Sequence, residues 1–68
     1  MPENQVKEGQ LLPGMMVKQS NNNPKDGITF KDRFVIIVKD ANLGDNEKRI
    51  LNIKINKVYS SYAFATII

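Results

Sequence analysis

Lysine, asparagine and aromatic side chains are the residues of this chain that could do chemistry. The 68-residue sequence contains no histidine and no cysteine. A Ser-His or Cys-His pair therefore cannot form, and a zinc site lacks its usual ligands. The four glycines are scattered singly, so the sequence contains no glycine-rich phosphate loop. We expect no cofactor, no metal and no catalytic residue, and a binding protein rather than an enzyme.

Polar side chains alternate with apolar ones late in the sequence, where Asn52, Lys54 and Asn56 follow one another at every second position. Arg33 and Lys39 bracket an apolar run. If these two segments pair as strands, their side chains form a basic, amide-rich stripe suited to phosphate contacts and base-edge hydrogen bonds. The candidate nucleic-acid-binding residues are Lys31, Arg33, Lys39, Asn52, Lys54, Asn56 and Lys57.

Aromatic side chains beside this stripe could stack on the bases of a single strand. The candidates are Phe30, Phe34, Tyr59 and Tyr62. The alternative interpretation is that Phe34 belongs to the core and that the alternating asparagines and lysines form an ordinary solvated face.

The charge balance agrees with either interpretation. The net charge is +3 and the isoelectric point about 9.4, which suits a nucleic-acid partner but also ordinary solubility. We expect a small regulatory module that binds a nucleic acid or a protein. The first ten residues are polar, and no apolar stretch approaches the roughly 18 residues that span a bilayer. We therefore expect a cytoplasmic protein with no membrane partner.

The elements that must position these residues are strands. Residues 33–39 are β-branched and apolar, which predicts a central strand covered on both faces, and the alternation over 49–59 predicts a half-buried strand with Lys57 as its one break. Shorter strands are expected over 15–19, 28–30 and 62–68, after a turn at Leu11–Gly14. Asp26-Gly27 indicates a hairpin, since both residue types tolerate a positive φ.

The predicted fold is all-β, a partly closed barrel of four to five strands of the SH3-like or OB-like kind. The predicted domains are a flexible arm over residues 1–10 and a single barrel over residues 11–68.

Self-association is expected because a domain this small usually needs a disulfide, a metal or a partner chain. The apolar Ile67-Ile68 pair favours a homo-oligomer. The candidate interface residues are Tyr62, Phe64, Ile67 and Ile68. A third interpretation is a structural or assembly subunit that pairs this edge strand with a partner sheet.

Gly14-Met15-Met16-Val17, followed by the apolar strand that Arg33 leads, resembles the MazF and PemK family of plasmid-maintenance toxins. The resemblance implies an SH3-like barrel that cleaves RNA as a dimer. It also implies that Arg33 stabilises the scissile phosphate and that Thr66 supplies the later hydroxyl. The sequence departs from the family pattern where Phe34 replaces a proline and where no Pro-x-Thr surrounds Thr66.

Overall fold

Five β-strands make up the fold of residues 6–68, the part of the chain that the structure, a computed structural model, describes. The strands are β1 (Leu11–Gln19), β2 (Gly27–Lys31), β3 (Phe34–Lys39), β4 (Lys48–Val58) and β5 (Tyr62–Ile67). The predicted all-β fold is therefore confirmed. No helix in the described residues is long and apolar enough to cross a bilayer.

The strands close into a barrel in the order β1-β2-β3-β5-β4. β3 and β5 run parallel, and every other neighbouring pair is antiparallel. This parallel contact, with β1 closing on β4, is the connectivity of the OB-like barrel, whereas an SH3-like barrel has antiparallel neighbours throughout. One expectation was wrong: β3 does not pair with β4, because β5 lies between them.

Aliphatic side chains that point inward from the strands fill the barrel. The largest fully buried side chains are Val17, Ile36, Val38, Ile53 and Ile55. Ala63 and Ala65 are also fully buried, and these small residues let β5 approach the core closely. Successive residues of a strand point to opposite faces, so Val35 and Ile37 lie on the outside, where they are half-buried. β3 is thus covered completely on one face only, not on both.

Two β-bulges adjust the register of the strands that surround the core. The first lies between Leu12 and Met15, where Gly14 has a φ of +67°. The turn expected at Leu11–Gly14 is therefore wrong, since these residues belong to β1. The second bulge lies between Ile55 and Lys57. It turns Lys57 outward instead of toward the apolar face, which explains the break in the sequence alternation.

Gly27 is required for space rather than for its backbone angle. A Cβ atom on Gly27 would lie 2.4 Å from Val17 Cγ1 and 3.1 Å from Ala41 Cβ. Neither Asp26 nor Gly27 has a positive φ. The predicted hairpin is confirmed, since β1 and β2 pair antiparallel across this loop, but the positive φ expected at the Asp-Gly pair is absent and Gly27 instead marks a close approach between β2 and β1.

The segment before β1 contacts the barrel from Val6 onward. Val6 is 3% exposed and belongs to the core. Gly9 N donates to Ile55 O at 2.7 Å, and Ile55 N donates to Gln10 O at 2.9 Å, so this segment lies against β4. Residues 1–5, which the predicted arm also includes, lie outside the described residues.

Candidate nucleic-acid interface

Three aromatic rings form a cluster on the outer face of the barrel, at the turn between β4 and β5. Tyr59 stacks on Tyr62 with ring centroids 4.8 Å apart and an interplanar angle of 21°. Phe64 meets both tyrosines edge-on, at 5.7 Å from Tyr59 and 5.5 Å from Tyr62. These are favoured arrangements of aromatic pairs. The aromatic cluster therefore holds three rings in a fixed arrangement on the outer face, with Tyr59 exposed and with Tyr62 and Phe64 half-buried.

The β4–β5 turn explains why the two tyrosines meet. Ser60 and Ser61 separate them, and Tyr59 N donates to Tyr62 O at 2.8 Å. This hydrogen bond places both rings on the outer side of the turn, where Tyr59 is 40% exposed and Tyr62 is half-buried. Tyr59 therefore lies outside the core, although the alternation over 49–59 placed it on the apolar face of the strand.

Lys39 connects the aromatic cluster to a buried carboxylate. Its Nζ lies 5.4 Å from the centroid of the Phe64 ring and 3.2 Å from Asp26 Oδ2. Asp26 Oδ1 accepts a hydrogen bond from Asp40 N at 3.0 Å. That backbone hydrogen bond, with a further contribution from Lys39, lowers the pKa of Asp26 below its usual value. Asp26 is therefore ionised at neutral pH and holds the Lys39 ammonium near the ring.

The outer side chains of β2, β3 and β5 align in rows across the sheet. In one row, Phe30 pairs with Val35 and Val35 pairs with Tyr62. In the next, Ile28 pairs with Ile37 and Ile37 pairs with Phe64. Phe30 is 50% exposed. The aromatic cluster thus continues across β3 as an apolar surface that ends at an exposed ring on β2.

Several of the predicted cations gather around β5. Lys57 pairs with Phe64 across the β4–β5 ladder, and both side chains face outward. Thr66 pairs with Lys39 on one side and with Lys54 on the other. Lys39, Lys54 and Lys57 therefore lie on the same side of the barrel as the aromatic cluster, as the basic stripe requires.

Lys31 and Arg33 lie at the opposite end of β3 from Lys39, beside the row in which Val35 pairs with Phe30 and Tyr62. Arg33 was expected on the same face of the central strand as Lys39, but it belongs to the turn before β3. Six residues of extended chain separate the two, a distance of about 20 Å. Lys31, at the end of β2, pairs with Phe34 near the same turn. The single stripe expected from the sequence is therefore divided between the two ends of β3.

The two predicted asparagines have different surroundings. Asn52 Oδ1 accepts a hydrogen bond from Gly14 N at 3.0 Å and so stabilises the bulge of β1. Asn56 is the extra residue of the β4 bulge and is exposed. Asn52 consequently has a structural role within the barrel, and Asn56 is the asparagine that remains free to contact a ligand.

Phe34, a proposed stacking residue, and Phe64, a proposed interface residue, differ in their burial. Phe34 is 8% exposed and packs in the core, so the core interpretation of this residue is confirmed and it cannot stack on a base. Phe64, which the sequence assigned to a protein interface, instead joins the aromatic cluster. The pattern Tyr62-Ala63-Phe64-Ala65 indicates this position in the sequence, since buried alanines at alternate positions place both rings on the outer face.

The remaining interface candidates lie at the end of β5. Ile67 and Ile68 are both exposed. β5 has a hydrogen-bonded neighbour on each side, β3 and β4. It therefore has no free edge for a partner strand, contrary to the edge-strand interpretation.

The two residues that the toxin resemblance matched are far apart. Thr66 pairs with Lys39 at one end of the β3–β5 ladder, whereas Arg33 precedes the other end. The separation along the strands is again about 20 Å. Arg33 and Thr66 therefore cannot contact the same phosphate in this fold.

Two lysines that the sequence reasoning passed over lie on the far side of the same surface. Lys18 of β1 and Lys48 of β4 are paired directly, and both are exposed. Together with Met16, Ile28, Thr29 and Phe30 they line a shallow groove of about 220 Å³. Their juxtaposition depends on the pairing of β1 with β4, which no local pattern in the sequence reveals.

Within residues 6–68 no group of three or more acidic side chains is placed to hold a metal ion. No protein-family model and no curated protein sequence matches this chain. The case for a function therefore rests on the geometry of the aromatic cluster and of the cations around it.

Proposed function

We propose that this protein binds single-stranded nucleic acid on the outer face of β2, β3 and β5, without cleaving it. The observation that carries the proposal is the aromatic cluster of Tyr59, Tyr62 and Phe64 with Lys57 paired beside it. Every base has a π-face, so exposed rings beside cations bind single strands with little dependence on sequence.

The charges around the aromatic cluster support this proposal. Lys54 and Lys57 are exposed and take part in neither of the ion pairs found in residues 6–68, which join Lys39 to Asp26 and Arg49 to Glu47. Free ammonium groups bind phosphates and release counterions from the strand, which adds affinity at low salt. The proposed interface thus combines base stacking with phosphate contacts.

The architecture offers weaker support by analogy. OB-type barrels bind oligonucleotides or oligosaccharides on the face of strands 2 and 3 and on the loop between strands 4 and 5. Phe30 on β2 and Tyr59 in the β4–β5 turn occupy these places. A shared fold does not establish a shared function, so the residues carry the argument.

The residue positions weigh against the other two interpretations. Cleavage in the manner of the toxin family needs Arg33 and Thr66 at one phosphate, and these residues lie at opposite ends of the β3–β5 ladder. Assembly by edge-strand pairing needs a free edge on β5, and both of its edges are paired. A regulatory binding module in the cytoplasm stays our prediction.

Anisotropy of fluorescein-labelled single- and double-stranded DNA and RNA tests the proposal, with titrations at about 50 and 200 mM salt. We expect the wild-type chain to prefer single strands, to bind more weakly at high salt and to leave the RNA intact on a gel. Replacing one ring by leucine, in Tyr59→Leu or Phe64→Leu, should weaken binding by about 1–3 kcal/mol.

The matched control is Ile50→Ala, which shortens an exposed apolar side chain of β4 that pairs with Met16 of β1, outside the aromatic cluster. It should leave the affinity unchanged, and circular dichroism should show that all variants keep the β-sheet. Absence of binding at low salt would refute the proposal, and so would equal losses for Ile50→Ala and Tyr59→Leu. Cut RNA would instead support the nuclease interpretation.

Self-association is a second candidate property, favoured by one observation. Ile67 and Ile68 are large apolar residues that are both exposed at the end of β5. They form an apolar patch that a second copy could cover. Sedimentation equilibrium of the wild type and of Ile68→Ser tests this. A monomeric wild type would rule the patch out as a homodimer interface.

A further inference from the structure

Lys18 and Lys48 form a pair of like charges at the seam of β1 and β4. They are direct cross-strand partners, so their Cβ atoms are about 5 Å apart, and both side chains are exposed on the outer face. Like charges in this position destabilise a sheet. The barrel therefore contains a local repulsion between two ammonium groups, which does not stabilise the fold.

No carboxylate in the described part of the chain neutralises this pair within ion-pair distance. Glu47 is the nearest in sequence, but its Oε1 accepts a hydrogen bond from Gly44 N at 2.7 Å and its Oε2 is paired with Arg49. These contacts lower the pKa of Glu47, so it stays ionised and committed to its partners. Asp45 is exposed and lies beyond ion-pair distance of both lysines.

Lys18 and Lys48 also border open space on both sides. On one side lies the shallow groove with Met16 and Phe30. On the other lies a polar cleft of about 680 Å³ between the β1–β2 and β3–β4 loops. An anion that reaches the lysine pair from the groove side meets two ammonium groups and no carboxylate, whereas Asp45 and Glu47 line the cleft side.

One cross-strand row connects the lysine pair to the aromatic cluster. Lys18 pairs with Ile28, Ile28 with Ile37, Ile37 with Phe64, and Phe64 with Lys57. With neighbouring strands about 4.8 Å apart, Lys18 lies about 14 Å from Phe64 across the sheet. The row has cations at both ends and apolar side chains between them, which is the arrangement that a strand crossing the sheet would use.

We propose that Lys18 and Lys48 form a second phosphate-binding subsite for the same nucleic-acid strand, which runs across the β-strands from Phe64 to this lysine pair. The inference rests on the proposed function of the aromatic cluster. The ligand group is a phosphodiester of a strand long enough to reach both places. The repulsion between the two lysines is relieved when that phosphate binds.

Oligonucleotide length separates the two subsites. Labelled oligothymidine of about 2 nucleotides is too short to span about 14 Å and can occupy the aromatic cluster alone, whereas about 12 nucleotides can reach both places. The variants are Lys18→Gln, Lys48→Gln and the double variant. Lys25→Gln is the control, because Lys25 is an exposed lysine of the β1–β2 loop that lies outside the row. Anisotropy at four salt concentrations gives the affinity and the salt slope for each oligonucleotide.

For the 12-mer we expect the double variant to bind at least tenfold more weakly at low salt. We also expect its plot of log affinity against log salt to flatten by about 0.7, since the subsite binds one phosphate and each neutralised phosphate accounts for about 0.7 on a single strand. For the 2-mer the double variant should bind like the wild type. Without any ligand, Lys48→Gln should melt a few degrees higher than the wild type, because the repulsion is gone.

Four outcomes would overturn the subsite. The double variant could weaken the 2-mer as much as the 12-mer, or Lys25→Gln could act as strongly as the double variant, which would show a general charge effect. Inorganic tripolyphosphate could raise the melting temperature of the wild type but not of the double variant, while the salt slopes of the two proteins with the 12-mer stay equal. The lysine pair would then bind free anions and not the nucleic-acid strand. A wild type that binds neither oligonucleotide refutes the proposed function and this subsite with it.

Discussion

Asp26 and Lys39 form an ion pair that spans the end of the barrel, with Asp26 Oδ2 3.2 Å from Lys39 Nζ. The carboxylate is buried and the lysine is partly exposed over the Phe64 ring. Asp26 thus compensates the charge of Lys39, whose ammonium group lies against the aromatic cluster. Among the cations around β5, Lys54 and Lys57 are therefore the ones that add uncompensated charge.

The pH dependence of stability should show the contribution of Asp26. Its pKa in the folded state is lowered, chiefly by the hydrogen bond from Asp40 N. A lowered pKa stabilises the fold above the unfolded value of about 4, and this stabilisation is lost as the pH falls through the folded-state pKa. Asp26→Asn should cost about 1 kcal/mol at pH 7, and in urea unfolding the difference from the wild type should narrow as the pH falls through the lowered folded-state pKa. Asp45→Asn, at an exposed site, is the control. An equal difference in unfolding free energy between Asp26→Asn and the wild type at neutral and at acid pH would contradict the lowered pKa of Asp26.

The position of Lys57 beside Phe64 predicts unequal effects of two similar substitutions. Lys57→Gln removes the cation beside Phe64, so it should weaken single-strand binding and lower the salt slope by about 0.7. Lys25→Gln removes one charge from the exposed β1–β2 loop, which is not part of the proposed interface, and should leave the slope unchanged. Anisotropy titrations of both variants at several salt concentrations measure this difference. Equal slopes for the two variants would show that overall charge, and not the place of the cation, controls binding.

The two asparagines of β4 should separate stability from binding. Asn52→Ala removes the acceptor of the Gly14 N hydrogen bond and should lower the free energy of unfolding by about 1 kcal/mol, with no effect on nucleic-acid affinity. Asn56→Ala, at the exposed bulge, should leave the unfolding free energy within about 0.5 kcal/mol of the wild type. Urea unfolding and anisotropy on the same preparations make the comparison. Our interpretation of Asn52 would be wrong if its replacement weakened binding but not the fold.

A methyl group at Gly27 should disrupt the contact between β1 and β2. The added Cβ would lie 2.4 Å from Val17 Cγ1, and overpacking of this kind costs about 1–3 kcal/mol. Gly44→Ala is the matched control, because its Cβ would meet only Glu47 Oε1 at 3.4 Å. Chemical denaturation of both variants gives the result. Equal free energies of unfolding for Gly27→Ala and Gly44→Ala would mean that β1 shifts to accommodate the added methyl group without loss of stability.

Local patterns in the sequence predicted much of the fold. The alternation over 49–59 and the β-branched run over 34–38 are visible without the structure, because side-chain direction alternates along a strand. The neighbour of each strand was not predictable in this way. Whether β3 pairs with β4 or with β5 depends on contacts between distant residues, and the local pattern is the same in both cases.

The same limit applies to the candidate site. Lys39, Lys54 and Lys57 were identified by residue type, and Tyr59 and Tyr62 by their aromatic rings. Arg33 was misplaced because the strand was expected to begin one residue early, and Asn52 because its partner, Gly14, is 38 positions away in the sequence. Lys18 and Lys48 were missed for a similar reason, since strand pairing alone brings them together.

The position of β5 between β3 and β4 also determines the order in which the chain can fold. The β2–β3 hairpin can form from nearby residues, but β3 and β4 each keep an unpaired edge until β5 inserts between them. Contacts between residues far apart in sequence slow folding, to times on the order of milliseconds to seconds in β-barrels. Until that insertion, the exposed edges of β3 and β4 are open to pairing with other chains. The step that completes the barrel is therefore also the step that protects it from aggregation.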